Sequence, residues 1–511
     1  MNLLILVPVL LPILAGSLLP LVIKGENADK KRQIYVSSVL VLNAVFVVLL
    51  VTATSLSLRF MKITNVINIY LQVDDLSKFF LMLSSFIWLI VSFFAFEYIK
   101  PYGKDNRFFA FYLMAYGAIV GACLAGNFFT LYLFYELITL FTFPFVVHFG
   151  TKASLRAGAK YLMYSFFGAA LILVGFVFLS HYGVTTDFVA GGVLDPAILG
   201  GNEGILLVVF LIAFIGFGTK AYIWPLFDWV PVSYPETPSP GASLLSGIVS
   251  KVAILAIIRL TFYGFGVDFI SGSWVQTVLI CMVLFTVFAG SMLAYKEKLF
   301  KRRLAYSSVS QLSYILFGII LLNPIGFLGA MLHVLFHGMI KVTLFLSAGA
   351  IIHKSGKEYV TQLKGIGKAM PITLWCFTIG AVSLVGIPPT GGFISKWYLA
   401  MGGITSNYPV LGVVGAGVLL ISALLTGGYL IPIFANAFFP GAKFDYSKLE
   451  RIEASKSMTI PLVILATLCI LLGVFSGVVI EFINGISIEL FGGAISVFPQ
   501  QMGIIDLKQS Y

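Results

Sequence analysis

Stretches of about 20 consecutive apolar residues, each able to cross about 30 Å of hydrocarbon, recur fourteen times along this chain. They run over 3–23, 34–54, 76–97, 108–125, 127–148, 160–181, 204–224, 240–262, 274–294, 303–322, 325–352, 371–402, 409–436 and 459–481. Backbone amides and carbonyls in lipid must be satisfied within their own segment, so these runs predict helices. Only 10% of the 511 residues are charged and mean hydropathy is +1.02, against about 25% charged in soluble domains. The expectation is an all-α integral membrane protein, seated in the lipid bilayer, with no soluble domain. The opening MNLLILVPVLLPILAG lacks a basic leader and reads as a retained first helix.

Charge placement gives the orientation. The odd-numbered loops (spans 1–2, 3–4 and so on) hold 23 Lys and Arg, whereas the even-numbered loops and the tail hold 3. The other six of the 32 lie within spans: Lys78, Lys220, Lys251, Arg259, Lys341 and Lys396. The positive-inside rule then puts the odd loops in the cytoplasm and both termini outside a cytoplasmic (inner) membrane. It also accounts for the net charge of +11 without a nucleic-acid partner. The run KEKLFKRR (296–303) reads as an anchor on the cytoplasmic side. Four cysteines (Cys123, Cys281, Cys376 and Cys469) stand singly in apolar runs, with no CxxC or CxxCH. No metal and no cofactor is expected from such a pattern.

Two spans are broken. The seventh runs into TKAYIWPLFDWVPVSYPETPSP, whose prolines cannot share one regular helix. The twelfth contains GIPPTGG (386–392). The breaks are five spans apart, and an odd offset reverses orientation, so spans 4–8 and 9–13 are expected to be two inverted five-helix repeats with discontinuous helices 7 and 12. The segments follow: helices 1–3 over 1–107, a first repeat over 108–262, a second over 274–436, and a last helix with a short tail over 437–511.

Ionisable residues at bilayer depth cost about 2.5–3.5 kcal/mol or more each, which makes them functional candidates. Glu136 sits mid-span in LYLFYELITLFTFPF, and Lys220, in the same repeat, is its expected partner. A bare buried carboxylate favours its neutral form, and a neighbouring lysine keeps it charged; the alternative is a purely structural ion pair. Lys251 lies too deep in span eight to snorkel, whereas Arg259 is expected to be an interfacial anchor and Lys78 a surface residue beside Asp74 and Asp75. His333, His337 and Lys341 recur at i, i+4 and i+8, along one helix face. Three titratable groups in file suit proton transfer, though His333 also fits a packing role. Lys396 follows the GIPPTGG break, where freed backbone groups admit water. No catalytic or cofactor-binding residue stands out.

At these residues the chain resembles the antiporter-like, proton-translocating subunits of respiratory complex I, of Mrp cation/proton antiporters and of membrane-bound hydrogenases. The resemblance is carried by FYELITL, TKAYIWPLFDWVP, TPSPGASLLSGIVSK, KRRLAYSSVSQLSY, HVLFHGMIKVTLFLSAGAIIH and GIPPTGGFISKW, and spans nearly the whole chain. It implies a glutamate–lysine pair at Glu136 and Lys220, a central lysine at Lys251, a relay at His333, His337 and Lys341, and a terminal lysine at Lys396. Val232, Ser233 and Tyr234 depart from an Asp-Ala-His frequent in the family. The chain resembles the D-type Mrp subunit, its hydrogenase counterpart or the N-type complex I subunit, and GIPPTGGFISKWYL is most similar to the first two.

The resulting expectation is a proton-translocating subunit of a multisubunit complex, with protons as cargo, Na+ as a second candidate and other membrane subunits as partners. A proton rests on Lys220 or Lys251, is released when Glu136 is drawn away by a partner, and passes through His337 and Lys341 to Lys396. The alternatives are a stand-alone cation/proton antiporter, and a structural module serving a redox or inorganic-carbon-uptake partner.

Overall fold

The computed structural model describes residues 2–25, 27–53, 56–62, 64, 67–442, 444–445 and 450–492. Helices of seven residues or more are numbered in chain order. The N-terminal set is α1 (Val7–Val22), α2 (Ala28–Thr52) and α3 (Asp75–Ile99). Then come α4 (Asp105–Cys123), α5 (Phe128–Val146), α6 (Lys152–Tyr182), α7 (Glu203–Gly218), the short α8 (Val230–Glu236) and α9 (Ser239–Phe265). A third set holds α10 (Trp274–Lys296), α11 (Phe300–Ile320), α12 (Pro324–Ser355), α13 (Pro371–Val385), α14 (Gly391–Ile404) and α15 (Pro409–Phe438). The chain continues through α16 (Lys456–Val474) and α17 (Ser476–Phe491).

Ten of the described helices are long and apolar enough to cross a membrane, with α7 and α13 as shorter apolar pieces. Burial sorts them. The α9 core is buried throughout and α12 almost throughout, so their side chains meet only protein. By contrast α1, α2, α6 and α15 expose large apolar side chains such as Leu14, Val48, Phe166 and Leu424, which is the composition a lipid-facing surface requires. The helix α11 is the polar exception. It buries Ser307, Ser308, Ser310, Gln311 and Ser313 in the middle of the molecule, where an isolated apolar pattern would never place them.

Both breaks fall where the sequence puts them. The helix α7 stops at Gly218, and Tyr222 adopts a left-handed backbone (φ 64°), a conformation uncommon outside glycine. In the second break Gly386 caps α13 with φ 91°, and α14 restarts at Gly391. A Cβ on Gly392 would overlap the Ser383 carbonyl oxygen, so the two half-helices approach only because that position is glycine.

Three features differ from the sequence reading. An antiparallel hairpin, β1 (Leu56–Lys62) with β2 (Asn68–Val73), lies between α2 and α3, so the chain is not wholly α. The fourteenth span ends early at Val474, and residues read as the beginning of a tail form α17, which buries Ile483, Ile486 and Leu490; residues 493–511 lie outside the described set. The helix α9 is interrupted by two π turns, Leu245–Val249 and Arg259–Phe265, for which hydropathy carries no signal.

Candidate functional site

The buried charges fall into two groups, one between α5 and α7 and one spanning α9, α12 and α14. In the first, the Lys220 ammonium donates to the Tyr135 carbonyl (3.0 Å) and to Thr139 Oγ1 (2.5 Å), and lies 3.7 Å from the Tyr135 ring centroid. The Glu136 carboxylate is its electrostatic neighbour. Among the described residues, however, the two do not form a contact ion pair, and Glu136 Oε1 accepts no hydrogen bond. The expected direct pair is therefore corrected to a lysine held by the α5 backbone, with the carboxylate alongside. The reason is rotational. Tyr135 and Thr139 face α7 from the buried side of α5, whereas Glu136 shares the half-exposed side with Leu140, which is 49% exposed.

In the second group, the first π turn of α9 includes Ser246, whose carbonyl is bonded by side chains. It takes both Ser250 Oγ (2.8 Å) and the Lys251 ammonium (2.6 Å). Such π turns recur at functional sites because they redirect backbone groups. Lys251 Nζ also lies 2.9 Å from His337 Nδ1, the bridge between α9 and α12.

From there α12 carries the file in two directions. Toward its start, the His337 and His333 rings stack at 5.6 Å, and His333 Nδ1 lies 2.9 Å from Ser395 Oγ on α14. The next residue, Lys396, donates to the Leu384 and Val385 carbonyls (2.6 and 3.0 Å) that the end of α13 leaves open. Tyr314 stacks on His333, and the Lys396 ammonium stands 5.2 Å from the Tyr314 ring centroid. Toward the end of α12, Lys341 donates to the Leu304 carbonyl (3.0 Å) and to Ser307 Oγ of α11. That carbonyl also accepts from Ser308 Oγ (3.0 Å), whose hydroxyl lies 2.8 Å from Ser246 Oγ. Lys341 thus reaches Lys251 through serines. It does not stand between His337 and Lys396, as the sequence reading had it; helical spacing alone sets the order along α12 but not which neighbour each side chain meets.

Five of the seven sequence-derived residues, Lys251, His333, His337, Lys341 and Lys396, therefore belong to one connected set, and Lys220 with Glu136 beside it forms a separate group between α5 and α7. Sequence reasoning passed over Thr139, Ser246, Ser307, Ser308, Tyr314 and Ser395. Neutral hydroxyls in apolar runs give no outlying signal; the serine density of YSSVSQLS was the one hint. One further residue is reassigned. Arg259 is no interfacial anchor: its side chain is 2% exposed and its guanidinium contacts the Asp74 carboxylate at 2.7–2.8 Å. Lys78 bonds Asp75 at 3.0 Å near the start of α3, in line with a residue outside the route.

Residues 125–422 match the family described as NADH:quinone oxidoreductase/Mrp antiporter, TM. That is more than half of the chain, and the protein belongs to this family of membrane ion-transport subunits. Among its relatives is the D-type component of the Na(+)/H(+) antiporter of Alkalihalophilus pseudofirmus, 30% identical over 480 residues, covering 93% of this chain and 94% of that one. Another is the N-type component of the NADH-quinone oxidoreductase of Desulforudis audaxviator, 32% identical and covering 81% and 83% of the two chains. In fold it matches a chain of the Mrp complex from Dietzia sp. with a TM-score of 0.82 at 20% identity, over 97% of this chain and 98% of that one. A chain of the archaeal membrane-bound sulfane sulfur reductase matches at 0.79, also at 20% identity, over 95% and 97%.

Proposed function

We propose that this chain conducts protons through a cytoplasmic membrane as one subunit of a multisubunit complex of the Mrp or complex I type. The observation that supports this most is the buried series in which Lys251 lies 2.9 Å from His337, the His337 and His333 rings stack, and His333 lies 2.9 Å from Ser395, the residue before Lys396. Each member can hold or pass a proton, and burial excludes bulk water from competing. A carboxylate with an open oxygen on the half-exposed side of α5 supports a control role for Glu136. A charged group on a neighbour in the complex could draw it away from Lys220, changing how firmly that lysine keeps its proton. Lys396 is only half-buried and adjoins Trp397, 49% exposed, so both ends of the route reach the perimeter, which favours a chain working among partners over a stand-alone antiporter. The two broken helices, five spans apart, support inverted repeats over 108–262 and 274–436, and the basic odd loops support an orientation with both termini outside.

The test is proton uptake by proteoliposomes holding the assembled complex. Lys251→Ala is expected to lower the rate by about a hundredfold, the lower range for removing an acid–base group from its step. A near-normal rate in a fully assembled complex would sink the proposal. Running the assay with and without Na+ decides whether Na+ moves as well.

A further inference from the structure

A cavity of about 320 Å³ opens where the ends of several helices converge, lined by Tyr98, Tyr102, Pro235, Glu236, Lys301 and Glu358. One water needs about 30 Å³ of liquid volume, so the cavity has room for several waters. Its walls come from the ends of α3, α8, α11 and α12 that border the loops after spans 3, 5, 7, 9 and 11, and from those loops. All are odd-numbered loops, the basic set that marks the cytoplasmic side. Tyr102 and Glu358 are exposed at the rim. The backbone of Glu358 is pinned beside α11, where Phe300 N donates to its carbonyl at 2.9 Å.

Lys301 forms the floor. Seven per cent exposed, it donates to the Pro235 and Thr237 carbonyls at 2.9 and 2.6 Å, and the Glu236 and Glu358 carboxylates are its electrostatic neighbours. A cytoplasmic anchor would point its ammonium at solvent or lipid headgroups; this one points into the protein. Three residues further on, about 4.5 Å along the helix axis, the Leu304 carbonyl accepts from Lys341 and Ser308. The cavity floor thus abuts the point where the serine bridge to Lys251 begins.

We propose that this cavity is the proton uptake port of the chain, delivering protons from cytoplasmic water past Lys301 to Lys341. The two carboxylates raise the local concentration of protons at the rim, as rings of Asp and Glu do in cation pores. The Lys301 charge excludes free metal cations while water at the floor passes protons. The proton leaves hydronium in the cavity and ends on the Lys341 amine, with no other bond changed. The port rests on the transport reading above.

The experiment uses the assembled complex in inside-out and right-side-out vesicles, with Cys281, the exposed native cysteine, replaced by serine. A cationic, membrane-impermeant thiol reagent is applied to Glu358→Cys at the rim and to Lys364→Cys on the same face but away from the cavity. Labelling of Glu358→Cys from the basic-loop side is expected to slow proton transport by about tenfold, 1.36 kcal/mol of barrier, reversed by reductant, with Lys364→Cys labelled and unaffected. Full labelling with an unchanged rate overturns the port, as does labelling only from the opposite face. If Glu358→Cys fails to assemble, Glu236→Gln with Glu358→Gln replaces it, and an unchanged rate again overturns the port. Lys251→Ala separates the two claims: a normal rate there together with a block at Glu358→Cys leaves the port standing and refutes the Lys251 file.

Discussion

Ser395 shows how a neutral side chain completes a route that charged residues only outline. It immediately precedes Lys396 and lies 2.9 Å from the His333 imidazole, and its hydroxyl can accept and donate at once. Ser395→Ala is expected to slow proton uptake by about tenfold, while Ser395→Thr, which keeps the hydroxyl, restores most of the rate. Equal rates for the two variants would show that the hydroxyl is only packed there. Arg259 makes the complementary case. Its guanidinium is buried over the Phe188 and Tyr263 rings and held by Asp74, the N-cap of α3. Removing one partner of a buried pair strands the other, at a cost of about 3 kcal/mol or more. Arg259→Met is therefore expected to lower the midpoint of thermal unfolding while leaving the transport rate of surviving complex intact, which separates a structural charge from a conducting one.

At the scale of elements, the buried lysines of the proposed route meet irregularities of helices. The first π turn of α9 presents one carbonyl to Lys251, and the end of α13 exposes two to Lys396. In lipid a loose carbonyl is costly, and a buried ammonium is costly too; meeting, they satisfy each other. The close approach of the half-helices at the second break predicts a sharp steric penalty. Gly392→Ala, whose Cβ would overlap the Ser383 carbonyl, is expected to destabilise by about 1–3 kcal/mol and to displace Lys396 from its carbonyls. The check is a lowered unfolding midpoint together with reduced transport, and a variant that unfolds normally would contradict the tight fit.

For the whole molecule, the connected contacts run across the bundle more than along any single helix, from α9 through α12 to α14, with Lys220 and Tyr135 as a separate group between α7 and α5. Leu140 on α5, beyond Glu136, and Trp397 on α14, beside Lys396, are each 49% exposed. Leu140→Cys and Trp397→Cys are accordingly expected to crosslink to different neighbouring subunits in the native complex, read by mass spectrometry of the products. Crosslinks to one common neighbour, or none from either, would contradict a chain inserted in a row of partners.

Much of this was legible in residue order. Long apolar runs set the helices, prolines and glycines set both breaks, and four in-span lysines with one carboxylate marked the candidate site, because each carries a large cost in lipid that a sequence cannot hide. What residue order could not carry was orientation about helix axes. Whether Lys220 meets the Glu136 carboxylate or the Tyr135 carbonyl, whether Lys341 lies between the histidines and Lys396 or behind them, and whether Lys301 points to headgroups or into a cavity are differences of rotamer and helix rotation. Those are settled by packing between segments distant in sequence. The hydropathy of the chain determined that it is a helical membrane protein with buried charge; only the tertiary structure decided which charges touch, since contact depends on close-packed neighbours that no local pattern specifies.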